Sequence, residues 1–226
     1  GIVLASKGLK VCLQDIHKEN AAIVKQGKLP FVEYGAETLL KESLDKGNLS
    51  ISLDIKSISE AKNIIIAIGT PVDEFMNPKT RQFLEFITEL KGHLSTDQLI
   101  VIRSSISPNA CEQILRVLGE EKNWKLSYCP ERILQGYAVK ELEKLPQLVA
   151  GFSKEAVKEA SDLFKHITPE IIVTSLAEAE FAKLFANAWR YIQFACANQF
   201  FMICQDSGVD YDRVRKAMVQ GYERAS

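Results

Sequence analysis

A chain of 226 residues, 46% apolar and 25% charged, can bury one large core or a core with a smaller attached unit. Its 28 basic and 29 acidic residues leave a formal charge of −1, so no global basic field marks it for nucleic acid or an anionic membrane. No apolar run approaches the ~20 residues that span a bilayer. No secretory leader pattern opens the sequence, and five scattered cysteines without CxxC spacing point to reduced thiols in a cytoplasm rather than a disulfide framework.

Residues 2–8 (IVLASKG) read as an amphipathic helical turn stopped by Gly8, and residues 9–15 (LKVCLQD) as a strand. Helices are predicted at 18–26 and 36–46, with a short strand at 49–53. The run 63–68 (NIIIAI) is continuous and β-branched, as suits a strand buried on both faces. A helix at 80–93, a strand at 98–102 (QLIVI), a helix at 107–118 and a strand at 125–129 follow. A strand at 147–152, a helix at 153–166 and a strand at 170–173 complete the alternation. Strands separated by helices of this length imply right-handed crossovers and a doubly wound, mostly parallel α/β sheet. After Thr174 the pattern changes. Residues 177–205 hold no Gly or Pro across 29 positions and keep a helical apolar period. Such a rod, about 43 Å at ~1.5 Å per residue, suits a domain link or a dimer seam. Gly208 closes it, and Asp210 caps a further helix to about residue 220. The domain boundary is therefore expected near 174/175. A helix feeding a parallel strand should itself follow a strand, so both ends of the chain read as cut.

The candidate chemistry lies at strand ends, where open parallel sheets bind ligands. Asp15 closes the first strand; its carboxylate can accept both ribose hydroxyls of an adenosine, or merely cap the next helix. Gly69-Thr70-Pro71 and Ser104-Ser105-Ile106-Ser107-Pro108 end two buried strands, either to hold cofactor groups or to cap helices. Pro130-Glu131-Arg132-Ile133-Leu134-Gln135-Gly136 follows the next strand, and Glu131 is either an acid–base group or half of a surface ion pair. On the long helix, Glu180, Lys183, Asn187, Tyr191 and Asn198 fall within an arc of about 80°. Lys183 and Asn187, one turn apart, suit a developing oxyanion, or belong to a merely solvated polar stripe. The uncharged stretch from Tyr191 to Cys204 argues that this face is covered. His17, His93 and His166 have no metal spacing. The cysteines read as buried structural thiols, Cys111 alone being placed for a lowered pKa.

In order along the chain, these segments resemble the UDP-glucose/UDP-N-acetylmannosamine dehydrogenase family, the nucleotide-sugar 6-dehydrogenases. The resemblance rests on Asp15, residues 27–39 (GKLPFVEYGAETL), Thr70-Pro71, Ser104 to Ser107, the Pro-Glu-x-x-x-x-Gly loop at 130–136, and Glu180-x-x-Lys183-x-x-x-Asn187. It implies a Rossmann-like NAD-binding domain over 1–174 and part of a central helical domain over 175–226. By the same resemblance, Asp15 holds the NAD ribose, and Thr70, Pro71, Ser104, Ser105 and Gln135 line the cofactor. Glu131 assists proton transfers, and Lys183 and Asn187 stabilise the oxyanion at the sugar's C6. Arg132, Ile133, Leu134 and Arg224 join Glu131, Lys183 and Asn187 in contacting a UDP-sugar. The long helix 177–205 is implied to form a homodimer core, and the reaction to be two hydride transfers to two NAD⁺ through a thioester on a cysteine. Ser105 stands where the family usually has Thr, Asn20 where a basic residue is common, and Gln135 where an acid is frequent. Arg132 and Cys129 look more like the N-acetylhexosamine branch. The family's glycine loop and nucleophilic cysteine have no counterpart in residues 1–226, so this polypeptide as it stands is expected to be inactive. The alternatives are a β-hydroxyacid dehydrogenase and a non-catalytic dimerisation module of the same fold.

Overall fold

The structure, a computed structural model, describes residues 1–75 and 77–222. It divides into two compact units, residues 1–183 and 184–226.

In the first unit the apolar runs become two sheets. Strands β1 (Val11–Gln14) and β2 (Leu49–Ser52) pair in parallel as a two-stranded sheet. Strands β3 (Asn63–Ile66), β4 (Leu99–Ile102), β5 (Lys125–Tyr128), β6 (Gln147–Gly151) and β7 (Ile171–Val173) form a five-stranded sheet in chain order. Every pairing is parallel except β5 with β6. The segment joining those two holds only the five-residue α6 (Ala138–Leu142), too short to cover the sheet as a full crossover.

The burial pattern explains the layers. All four residues of β4 are buried, because helices cover both faces. On one face Ile64, Ile66, Ile100, Ile102, Leu126 and Tyr128 pack against α4 (Thr80–Lys91) and α5 (Ala110–Leu118). On the other, Leu99, Val101 and Val149 meet α7 (Lys154–Phe164), whose Ala156 and Ala160 share one stripe and let the helix lie close. Gly151 belongs to the same close approach: a Cβ there would meet Ser127 Oγ at 3.0 Å and Val157 at 3.1 Å. The fold is thus doubly wound and mostly parallel, as the sequence implies. The small sheet packs α1 (Ile2–Ser6) and α3 (Ala36–Asp45) through Ala5, Leu40 and Leu49, while α2 (Lys18–Lys25) follows β1. A 3-10 helix at Ile55–Glu60 and the helix α6 escape the sequence reading, since neither is long enough to show a period.

Helix α8 (Leu176–Asp206) contributes its first turns to this unit. The second unit contains the rest of α8 and α9 (Tyr211–Val219), for which Asp210 is the N-cap, accepting from the Asp212 and Arg213 amides. Gly208 takes a left-handed φ of 67° at the turn, and Phe201 meets Tyr211 edge-on at 5.8 Å. The expectation of a covered face fails for the single chain: Tyr191 is 71% and Phe194 55% exposed. Phe185, Trp189, Ile192 and Ile203 are exposed as well. Two cysteines also depart from expectation. Cys12 is exposed because a two-stranded sheet leaves one face open, and Cys196 shares the open surface of α8, whereas Cys111, Cys129 and Cys204 are buried. Among the described residues, no helix is long and apolar enough to cross a membrane.

Candidate active site

Parallel pairing puts the carboxyl ends of β3, β4 and β5 on one edge of the sheet, so their outgoing loops meet. Thr70, after β3, donates its hydroxyl to Ser105 O at 2.6 Å. Ser104, after β4, donates to Ile68 O at 2.7 Å. The two bonds lace the loops together and leave the hydroxyl oxygens as acceptors. Ser104 is buried, Thr70 and Ser105 are half-buried, and Pro71 is exposed. Asp15 sits on the other sheet. Its amide donates to Ser52 O at 3.1 Å, and its Oδ1 accepts from His17 N at 2.9 Å, a turn-capping bond that leaves both readings of this residue open.

The loop after β5 carries the densest chemistry. Glu131 is half-buried; Oε1 accepts from the Ile133 amide, and Oε2 is buried 3.8 Å from Arg103 Nη2, accepting no hydrogen bond among the described residues. Burial pushes its carboxyl above the usual carboxylate range. Arg103, the Ile133 amide and Lys183 hold the rise back, and Glu141 adds to it. Lys183, itself buried, reaches from α8 and donates Nζ to the Glu131 carbonyl oxygen. One turn earlier, buried Glu180 accepts from Asn109 N at 2.8 Å and Cys111 N at 3.1 Å, pinning the start of α8 to the N-terminus of α5. Asn109 is the sole non-glycine with positive φ among the described residues, at 64°.

The remaining loop residues are spread over its surface. Arg132 turns away to donate to Pro146 O, Ile133 is half-buried, and Leu134 and Gln135 are exposed. Asn187 lies in the second unit, where its Oδ1 accepts from Arg190 Nη2 at 3.1 Å. Arg224 lies outside the described residues. Cys111, the one thiol singled out at a helix start, does not have a lowered pKa: burial first, then Glu180, pushes it up. Burial likewise pushes the Cys129 thiol up to about 12. Among the described residues no cluster of three His, Cys, Asp or Glu could hold a metal.

Sequence reasoning overlooks two supports of this loop. Arg103, just before Ser104, donates Nη1 to Cys129 O at 3.1 Å and to Gln147 Oε1 at 2.9 Å. A cation closing an apolar strand was the available signal. Glu33 accepts from Gly136 N at 2.9 Å, the Tyr34 amide donates to Gly136 O at 3.1 Å, and the Tyr34 and Tyr137 rings stand 5.5 Å apart. Gly136 takes a φ of 92°, which favours glycine there.

The family model for the NAD binding domain of the UDP-glucose/GDP-mannose dehydrogenase family matches residues 1–168, and that for the family's central domain matches residues 177–224. The UDP-N-acetyl-D-mannosamine dehydrogenase of Methanococcus aeolicus is 30% identical over 214 residues, 92% of this chain and 48% of that protein. The NDP-N-acetyl-D-galactosaminuronic acid dehydrogenase of Ralstonia nicotianae is 27% identical, over 92% of this chain and 52% of its own. The chain therefore spans about half the length of the curated relatives it matches. Among solved structures, a UDP-D-ManNAc dehydrogenase from Pyrococcus horikoshii superposes with a TM-score of 0.86 at 24% identity, covering 99% of this chain and 55% of that one. A GDP-mannose dehydrogenase from Pseudomonas aeruginosa gives 0.85 at 21%, with the same two coverages of 99% and 55%. At such identities these likenesses speak for the fold. The family model that covers residues 1–168, well over half of the sequence, makes this chain a member of the UDP-glucose/GDP-mannose dehydrogenase family.

Proposed function

We propose that the protein serves the NAD-dependent oxidation of a UDP-sugar, a UDP-N-acetylhexosamine or UDP-glucose, converting the C6 hydroxyl to the uronate by two hydride transfers. The observation that carries this reading is the meeting of Glu131, within the match to the NAD binding domain, and Lys183, within the match to the central domain, at the carboxyl end of β5. Relatives named for UDP-N-acetylmannosamine and NDP-N-acetylgalactosaminuronic acid support the substrate class.

The groups present suit NAD. Asp15 offers a carboxylate at a strand end for ribose hydroxyls, and Thr70, Pro71, Ser104, Ser105 and Gln135 border the next strand ends. Gly69 leaves open space there, since a Cβ on it would meet nothing within 4 Å. When bound, NAD⁺ supplies a hydride acceptor. In this reading Glu131, its pKa raised by burial, takes and returns protons. Lys183 and Asn187 supply charge and an amide donor to the oxygen on C6, and Arg132, Ile133, Leu134 and Arg224 contribute to the sugar site. Residues 1–174 then act as the cofactor domain and 175–226 as the start of a central domain. Calorimetric titration tests the cofactor side: NAD⁺ binds in preference to NADP⁺, and Asp15→Ala weakens NAD⁺ by about tenfold or more, the loss of a charge-assisted pair of hydrogen bonds. Undiminished binding by that variant would leave Asp15 as a turn cap only.

The exposed aromatic and aliphatic residues of α8 support a homodimer through helix 177–205. Sedimentation velocity should find a dimer that Trp189→Glu and Phe194→Glu convert to monomer; a monomeric wild type would refute the dimer. Scattered free thiols support a reducing compartment, the cytoplasm.

A further inference from the structure

We propose that Arg103 is the positioning residue of the Glu131 carboxylate, held rigidly behind it as its fixed charge partner. The proposal rests on the reading of Glu131 as the proton-carrying group. Arg103 leaves the end of β4 and passes beneath the end of β5, with its side chain only 13% exposed. Its Nη1 is committed to Cys129 O at 3.1 Å and Gln147 Oε1 at 2.9 Å, and its guanidinium lies 4.9 Å from the centre of the Phe164 ring. Gln147 is itself locked, because its Nε2 donates to Pro130 O at 3.0 Å and Leu148 O at 2.8 Å. The guanidinium is therefore seated by a carbonyl just past β5, an amide on β6 and a ring on α7, before Glu131 contributes anything.

What remains is Nη2, 3.8 Å from Glu131 Oε2. That distance is too long for a hydrogen bond and short enough for strong attraction in a half-buried setting. Arg103 thus acts on Glu131 as a charge. A cavity of about 20 Å³, room for one water, is bounded by Arg103, Glu131 and Gln147 among others, while Oε2 itself is sealed from solvent. The other charged groups facing Glu131 are Lys183 from α8 and Glu141 from α6, of opposite effect; Arg132, beside it in the loop, is turned to Pro146 O. Among the favourable neighbours, Arg103 exerts the largest pull on the carboxyl.

The test is carboxyl ¹³C NMR of Glu-labelled protein, titrated for wild type, Arg103→Lys, Arg103→Met and Gln147→Leu. Removing the nearby positive charge in Arg103→Met should raise the Glu131 midpoint by about 1 unit or more. Arg103→Lys keeps the charge and should give a smaller rise, as should Gln147→Leu, which loosens the seat without touching either charge. The last two carry the comparison if Arg103→Met does not fold. Equal midpoints in all folded variants would overturn the proposal. The pH–rate profile of the intact protein then separates the two layers. A profile that follows the NMR midpoint supports both, while a midpoint that moves under an unmoved profile keeps Arg103's role and rejects Glu131 as the proton carrier.

Discussion

In a protein that carries this segment together with the family's glycine loop and nucleophilic cysteine, Lys183→Ala is expected to lower the rate of UDP-sugar oxidation by about 10²–10³-fold, the usual loss when one oxyanion donor is removed. The residue is buried at 7% exposure, and its Nζ hydrogen-bonds the Glu131 carbonyl oxygen. A buried ammonium is costly unless it is paired and hydrogen-bonded, and even then its net contribution to stability is small. Truncation should therefore change folding stability little, while removing the positive charge proposed for the oxygen on C6. Arginine should not rescue it, because its wide planar fork does not fit a site shaped for a compact ammonium. Steady-state rates with a parallel urea melt make the distinction. Loss of turnover at unchanged stability is the expected pair, and a wild-type rate would remove Lys183 from the chemistry.

Glu180→Ala is expected to destabilise the first unit by about 1–3 kcal/mol, since one buried and one part-buried amide lose their acceptor. Those amides belong to Asn109 and Cys111 at the N-terminus of α5, and Glu180 is 2% exposed. A carboxylate in that position also meets the positive end of the α5 dipole. Glu180→Gln keeps one good acceptor and should lie between wild type and Ala. Chemical unfolding monitored by far-UV circular dichroism measures both, and an Ala variant as stable as wild type would show that the capping bonds contribute nothing net. Because Glu180 precedes Lys183 by one turn, a loosened start of α8 should also reduce turnover, with the Gln variant again intermediate.

These two effects also mark how much of the molecule was legible in its sequence. The run NIIIAI reads as buried on both faces, yet only its Ile64 and Ile66 are buried, because β3 ends the five-stranded sheet. All four residues of LIVI, read as another buried strand, are buried. Asp210 could be read as a cap because capping is local chemistry, resolved within three residues. The seat of Arg103 was not legible. It depends on β6 running antiparallel to β5, which brings Gln147 beside a residue 44 positions earlier. The grip of Glu33 on Gly136 spans 103 positions and has no local signature. The apolar stretch of α8 reads correctly as helix, but its face is open in the single chain, since periodicity gives the conformation of a segment and not what lies against it.

The central claim is the oxidation of a UDP-sugar through two hydride transfers, and the most direct measurement is the electron count. The intact protein is supplied with NAD⁺ and one UDP-sugar at a time, NADH is followed by absorbance, and the product is identified by mass. Two NADH per sugar consumed, with a uronate as product, is the result this account predicts. One NADH per substrate with a carbonyl product would contradict it and place the protein with the simpler hydroxyacid-type dehydrogenases.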